Sequence, residues 1–162
     1  MVISHGNDFL TQQGIPISNH LIPFIKRVRF LLDNSHGKPG WNSEAKSQVQ
    51  STLAISLYRL GEEIGEYRLI MNAIEIYRLS LKEDIKEHAP LRWAATQNNL
   101  GIALRELGRL EGSTFWLEEA VAACRLALQV RTKDRAAMQW AMTQNNLNNA
   151  YTALERLQSS TL

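Results

Sequence analysis

The side chains that most often carry out catalysis or bind metals are few and scattered in this 162-residue sequence. His5, His20, His36 and His88 have neither a second histidine four residues away nor a cysteine nearby, so the spacing that zinc sites use does not occur. The single cysteine, Cys124, falls on the apolar side of a predicted helix, which favours a buried thiol over a nucleophile. The sequence predicts a protein that is not an enzyme and holds no metal or cofactor.

Basic residues form one small cluster, Lys26, Arg27 and Arg29, on an amphipathic segment that spans residues 19–33. The favoured interpretation is a capping helix, within an N-terminal segment of residues 1–38, that covers the first unit of the repeat described below. The alternative is a contact with an acidic partner or a phosphate. A net charge of +2 without a dense basic stripe does not favour nucleic acid.

The chain also lacks the features of a membrane or secreted protein. No stretch approaches the roughly 20 apolar residues that a spanning helix needs, and the N-terminus does not have the basic-then-apolar order of a secretory signal. A single cysteine cannot form an internal disulfide, which suits a reducing compartment. These observations favour a cytoplasmic protein that has no membrane partner.

A nine-residue stretch occurs twice and indicates an internal repeat. Residues 93–101 read WAATQNNLG and residues 140–148 read WAMTQNNLN, which agree at seven positions and lie 47 residues apart. The same shift superposes Leu53 on Leu100 and Leu100 on Leu147, and it places glycines on glycines. A fixed period with apolar residues in phase is typical of a helical-repeat array.

Within each unit the apolar residues follow the spacing of two successive helices. We predict helices near residues 44–60, 67–83, 91–107, 114–131 and 138–156. Pro90 suits a first helical turn, and Gly108 is expected to end that helix. Ser113 or Thr114 can cap the next helix. No strand pattern occurs.

The second unit resembles the tetratricopeptide repeat family. The family's Asn-Leu-Gly-x-Ala stretch, its Leu-Gly pair and the small residues of its second helix are matched by Asn99, Leu100, Gly101, Ala103, Leu107, Gly108, Ala120 and Ala127. The common repeat is about 34 residues long. The longer period and the Trp-Ala-x-Thr-Gln-Asn-Asn-Leu-Gly opening make this chain similar to a long-repeat bacterial variant of the family.

The resemblance implies an all-α fold that forms a right-handed α-solenoid of antiparallel helix-turn-helix repeats. About 2.5 repeats are expected, at residues 39–89, 90–136 and, as a partial unit, 137–157. They would form one repeat domain that spans residues 39–162 and follows the capping helix.

The family's groove-facing positions, projected onto this chain, imply a partner-binding surface on the concave side of the solenoid. The candidate residues are Gln48, Ser51, Ile55, Tyr58, Arg59, Asn98, Ile102, Arg105, Glu106, Met142, Asn145, Asn149 and Thr152. Structural roles within the repeat are expected for Trp93, Asn99, Leu100, Gly101, Gly108, Ala120, Trp140, Asn146 and Leu147. No groove lysine accompanies Asn149, so the family's clamp for a terminal carboxylate is not expected.

The sequence therefore favours a non-enzymatic scaffold that binds an unidentified protein or peptide in this groove. The alternative is a structural element of self-assembly, or a piece of a longer repeat regulator, that forms homo-oligomers through its uncapped last helix. A third hypothesis, less favoured by the charge, is binding to nucleic acid or another anionic surface through Lys26, Arg27 and Arg29.

Overall fold

The computed structural model describes residues 21–34, 41–84 and 86–160, and these residues form helices without any strand. The helices are α1 (Leu21–Asn34), α2 (Ser43–Ile64), α3 (Tyr67–Glu83), α4 (Pro90–Glu111), α5 (Thr114–Leu128) and α6 (Ala137–Ser159). The expected all-α fold is confirmed for this part of the chain. Among the described helices, none combines the length and the apolar character that crossing a bilayer requires. Three of the histidines considered above, His5, His20 and His36, lie outside the described residues.

The long helices extend one turn further than the sequence predicts. Helix α2 ends at Ile64 and α4 at Glu111, and each is followed by a glycine in the left-handed conformation. These glycines are Gly65, with φ of 69°, and Gly112, with φ of 60°. The prediction that Gly108 ends its helix is therefore wrong, because the next glycine along the chain has that role.

Gly108 lies inside α4, at a point where α5 approaches closely. A Cβ atom at Gly108 would lie 2.8 Å from Leu117 Cγ, and one at Gly101 would lie 2.7 Å from Cys124 Sγ. Gly61 occupies the corresponding place in α2, where a Cβ atom would lie 2.8 Å from the nearest side chain of α3. These glycines therefore permit a separation between paired helices that any larger residue would prevent.

The helix starts agree better with the sequence. Pro90 occupies the first turn of α4 as predicted, where its missing N–H removes no helical hydrogen bond. Ser113 holds the N-cap position of α5, although its side chain makes no capping hydrogen bond. Helix α2 is capped by Asn42, whose Oδ1 accepts a hydrogen bond from the Ala45 N–H at 2.8 Å.

One hydrophobic core joins the helices in chain order. Each helix packs against the next, and α4 also contacts α2 and α6. Helices α2 and α3 run antiparallel, because Ser47 near the start of α2 is hydrogen-bonded to Ser80 near the end of α3. The three leucines that the 47-residue shift superposes, Leu53, Leu100 and Leu147, are all buried in this core.

Helix α1 covers one side of α2. Its Ile25 and Val28 are buried in the common core, whereas Lys26 and Arg27 are exposed and Arg29 is half-buried. The amphipathic pattern of the segment is thus used as the sequence predicts, with the apolar side against α2 and the basic residues outward.

Candidate functional site

The candidate surface lies on α2, α4 and α6, the three long helices, and we call it the long-helix face. Its members that are exposed or half-buried are Gln48, Ser51, Ile55, Tyr58 and Arg59 of α2, Ile102 and Arg105 of α4, and Met142, Asn145, Asn149 and Thr152 of α6. Within each helix these residues recur at three- or four-residue intervals, which places them on one side. Two predicted members, Asn98 and Glu106, are buried instead.

Glu106 is buried at the side of α4 that faces Tyr58 of α2, and it forms an ion pair within its own helix. The Arg109 guanidinium donates to both carboxylate oxygens, at 2.5 and 3.1 Å. These hydrogen bonds raise the pKa of Arg109. A carboxylate held in this way is not free to bind a partner, so the predicted groove role of Glu106 is replaced by a structural one.

Tyr58 lies where α2 meets α4, beside the same carboxylate. Its hydroxyl donates to Glu62 Oε1 at 3.0 Å. Burial raises the pKa of Tyr58, the Glu62 carboxylate raises it further, and nearby Arg105 opposes the shift. The phenol therefore stays neutral across the physiological range and presents a ring edge and a hydrogen-bonded hydroxyl on the long-helix face.

Asn98 links α4 to α6 and is only 5% exposed. The Asn146 side chain donates from Nδ2 to Asn98 Oδ1 at 3.0 Å, and Asn98 Nδ2 lies 3.3 Å from Asn99 Oδ1. The prediction that Asn98 faces a groove is corrected, because α6 covers it. The expected structural role of Asn146 is consistent with this bond, while Asn145, one period after Asn98, is exposed.

Trp93 and Trp140, for which structural roles within the repeat are expected, are both half-buried. A lysine ammonium lies over each ring, Lys86 Nζ at 5.3 Å from the Trp93 centroid and Lys133 Nζ at 6.0 Å from the Trp140 centroid. The pair of contacts repeats at the 47-residue period. A lysine and an aromatic ring at this distance attract each other, so these tryptophans also fix the turns that precede α4 and α6.

A buried polar cluster joins the start of α2, the end of α3 and the start of α4, and we call its residues Ser47, Ser80, Asp84 and Arg92 the first joint. Ser47 donates to Asp84 Oδ2 and lies 2.9 Å from Ser80 Oγ. Arg92 Nε donates to Asp84 Oδ1 at 3.2 Å. Nothing in the sequence indicates this cluster, because Ser47 stands 33 or more positions before the other members and none of them belongs to a recurring motif.

The first joint holds a serine beside a carboxylate, but its arrangement is structural. Both serines and Asp84 are buried, so a substrate has no access to them. Ser47 donates its proton to Asp84, and no histidine among the described residues contacts either group to act as a base. No group of three or more His, Cys, Asp or Glu side chains in residues 21–34, 41–84 and 86–160 is arranged to hold a metal ion.

Cys124 has the environment that the sequence predicts. Its thiol is buried against Gly101, and burial raises the pKa of Cys124 to about 11. A thiol with that pKa is almost entirely protonated at neutral pH and is a poor nucleophile.

A cavity of about 450 Å³ lies between α1, α2 and α3, apart from the residues that the sequence singles out. Its floor is apolar and includes Leu53, Leu57 and Ile76. Gln50 also lines it, and charged side chains of both signs stand at its rim. Sequence reasoning missed this cavity because it results from the way α1 covers α2 and not from a motif.

No protein-family model, curated protein or solved structure matches this chain. The function is therefore argued from the geometry of the long-helix face and from the repeat itself.

Proposed function

We propose that the protein is a non-enzymatic scaffold of the tetratricopeptide type, a helical-repeat solenoid whose long-helix face binds an extended segment of a partner protein. Two features support the solenoid. The 47-residue shift relates α2 to α4 and α4 to α6, and the close-packing glycines recur in the first two of these helices. An array of paired helices that each contact their neighbours in chain order is the arrangement that such repeats adopt.

The observation that carries the binding proposal is the composition of the long-helix face. It presents apolar side chains on all three helices: Ile55 and Met142 are exposed, and Ile102 is half-buried. Arg59 and Arg105 stand beside them, and within the described residues neither forms a salt bridge. Apolar anchors flanked by unpaired cations favour a partner segment that carries both apolar and acidic residues.

Amides of α6 extend this surface. Asn145 and Asn149 are exposed one turn apart, and each carboxamide has both donors and an acceptor. Side chains of this kind can bond to the backbone of an extended peptide, which offers one N–H and one C=O per residue. We therefore place the partner's backbone along α6 and its acidic side chains towards α4 and α2.

The proposal is tested by reversing charge on this face and, separately, elsewhere. A variant with Arg59→Glu and Arg105→Glu is compared with a control carrying Arg68→Glu and Arg135→Glu, two exposed arginines outside the face. Both variants change the net charge equally. Proteins captured from a lysate by the natural chain are divided into peptides. The peptide that binds is then titrated into the natural chain and into each variant by calorimetry. We expect the first variant to lose that segment and the control to keep it; retention of every partner by the first variant contradicts the proposal.

Self-assembly through α6 is the alternative, and one observation favours it: Met138 and Met142 are exposed near the start of this helix. Two residues weigh against a helix docking on α6 as α5 docks on α4. Where α4 has Gly101 and Gly108, one period later α6 has Asn148 and Glu155, both exposed. Their side chains occupy the space that a close helix would need. A concentration-dependent mass in sedimentation would support self-assembly, and Met138→Glu with Met142→Glu would then abolish it.

A further inference from the structure

We propose that the cavity between α1, α2 and α3 is a binding site for a small, uncharged, mainly apolar molecule that carries one O–H or N–H donor. This site is separate from the long-helix face and does not depend on the function proposed for it. Its volume of about 450 Å³ falls within the range of pockets that hold small ligands, roughly 300 to 1,000 Å³.

The first observation is an unpaired carboxamide oxygen on a side chain that lines the cavity. Gln50 is only 8% exposed and lines the cavity, and its Oε1 is the one buried side-chain nitrogen or oxygen without a hydrogen-bond partner among the described residues. Leaving a buried acceptor unpaired destabilises the protein, and a hydrogen bond from a bound donor would remove this cost. A half-turn of the carboxamide exchanges its oxygen and its nitrogen, so the oxygen can occupy either position.

The second observation is the apolar floor. Leu53, Leu57 and Ile76 of α2 and α3 line the same cavity as Gln50. A water molecule bound to Gln50 would need two to four polar partners, roughly three on average. The apolar floor supplies none, and Asn72 is the one other uncharged polar side chain that lines the cavity. A ligand with one donor and an apolar body can form a hydrogen bond with the Gln50 amide and pack against the apolar floor at the same time.

The rim of the cavity selects against a charged ligand. Lys46 and Glu83 form an ion pair with each other. Of the other charged side chains that line the cavity, Arg29 and Lys82 are balanced by Asp33 and Glu75. Since the charges are equal in number, neither an anion nor a cation is favoured.

The length of α1 relative to α2 accounts for the cavity. Helix α1 has 14 residues and covers one side of α2, which has 22. Helix α4 has the same length as α2, but it packs against the 17-residue α3. The position in α4 that corresponds to Gln50 is Gln97, which is also buried, does not line the cavity and has no fully buried side-chain atom without a hydrogen-bond partner. Gln97 is therefore a matched control.

The test uses 4-ethylphenol and 4-ethylanisole, in which a methyl group replaces the phenolic hydrogen, so that only the phenol can donate a hydrogen bond. Both are titrated into the full chain and followed by ligand-observed NMR, with side-chain amide signals recorded in parallel. We expect the phenol to bind about five- to tenfold more tightly than the ether, since one hydrogen bond contributes about 1 kcal/mol. The Gln50 amide signal should shift with the phenol.

Substitutions test whether the preference for the phenol depends on Gln50. Gln50→Leu should bring the two affinities within about twofold of each other, while Gln97→Leu should leave the ratio unchanged. Ile76→Trp should fill the cavity and abolish binding of both compounds. The proposal is overturned by absence of binding to the natural chain, by equal binding of phenol and ether, or by a preference that survives Gln50→Leu. If Gln50→Leu does not fold, the shift of the Gln50 amide signal in the natural chain decides, and an unmoved signal overturns the proposal.

Discussion

The first joint and its counterpart one period later show how differently two equivalent places in a repeat can be built. In the first joint Ser47 is hydrogen-bonded both to Ser80 and to Asp84, and Arg92 pairs with the Asp84 carboxylate. The corresponding residues of the second joint, 47 positions on, are Ala94, Ala127, Arg131 and Gln139. The acid has become a base, and both serines have become alanines that are fully buried.

The second joint also pairs its half-buried charge, but with different partners. Arg131 Nη1 donates to Thr143 Oγ1 at 2.9 Å, and Thr143 Oγ1 donates in turn to the Gln139 carbonyl at 2.8 Å. Burial lowers the pKa of Arg131 from its ordinary value. The comparison shows that the repeat specifies the helices and their spacing, whereas the polar groups at the joints vary so long as each one finds a partner.

The largest expected effect comes from removing the centre of the first joint. Asp84→Ala should lower the free energy of unfolding by about 2 kcal/mol, because it removes the acceptor of the buried Ser47 hydroxyl and one of the two carboxylates that pair with Arg92. Arg131→Met, the corresponding change in the second joint, should cost only about 1 kcal/mol, since it breaks a single hydrogen bond to a hydroxyl that retains its backbone acceptor. Urea unfolding followed by circular dichroism measures both values.

A smaller loss in Asp84→Ala than in Arg131→Met would show that the two joints do not differ in the way described. Asp84→Asn is the control for shape, since it keeps the side-chain volume and one acceptor. It should lie between the natural protein and Asp84→Ala.

A second pair of equivalent residues sharpens the comparison at an intermediate magnitude. Asn98 accepts a hydrogen bond from Asn146 across the boundary between α4 and α6, while Asn145, at the corresponding place in α6, is exposed. Asn98→Ala should lower the free energy of unfolding by about 1 kcal/mol, and Asn145→Ala should change it by less than about 0.5 kcal/mol. Equal effects of the two substitutions would mean that the cross-helix bond contributes nothing.

The helices and the repeat were predictable because they depend on local spacing. Apolar residues at helical intervals gave the five repeat helices, and the period of 47 correctly paired leucines that share the core, such as Leu53 and Leu100. Pro90 was correctly placed because its effect on a helix start is local. Gly108 was misjudged because a glycine that ends a helix and one that admits a neighbouring helix look alike in sequence, and only the approach of Leu117 separates them.

The site was predicted less well because exposure depends on what covers a residue. Asn98 and Asn145 occupy the same phase of the same motif, yet α6 buries the first and no described helix covers the second. Glu106 was assigned to the surface on its helical phase alone, but the i,i+3 pairing with Arg109 and the neighbouring α2 bury it. The Ser47 contacts of the first joint join residues 33 and 37 positions apart, and the cavity combines side chains of three helices; a single sequence carries no signal for such contacts.

The smallest expected effect concerns pH. Beside the first joint Glu83 pairs with Lys46, while the corresponding residues of the second unit are Val130 and Trp93, which do not titrate near neutral pH. The hydrogen bond from Lys46 and, less strongly, that from Ser43 hold the pKa of Glu83 below its ordinary value of 4.5. Since the folded pKa is the lower one, the pair stabilises the protein above pH 4.5 and this contribution is lost as the pH falls through the folded value.

Glu83→Gln should therefore lower the free energy of unfolding by about 0.5 kcal/mol at pH 7, as expected for a pair that is partly exposed. The difference from the natural protein should shrink as the pH is lowered below 4.5 and vanish in the most acid solutions in which the chain still folds. Val130→Ala serves as the control from the second unit, because its cost arises from packing and should be the same at every pH. Thermal unfolding between pH 3 and pH 8 measures both differences; a Glu83→Gln deficit that grows towards acid pH would contradict the assigned direction of the pKa shift.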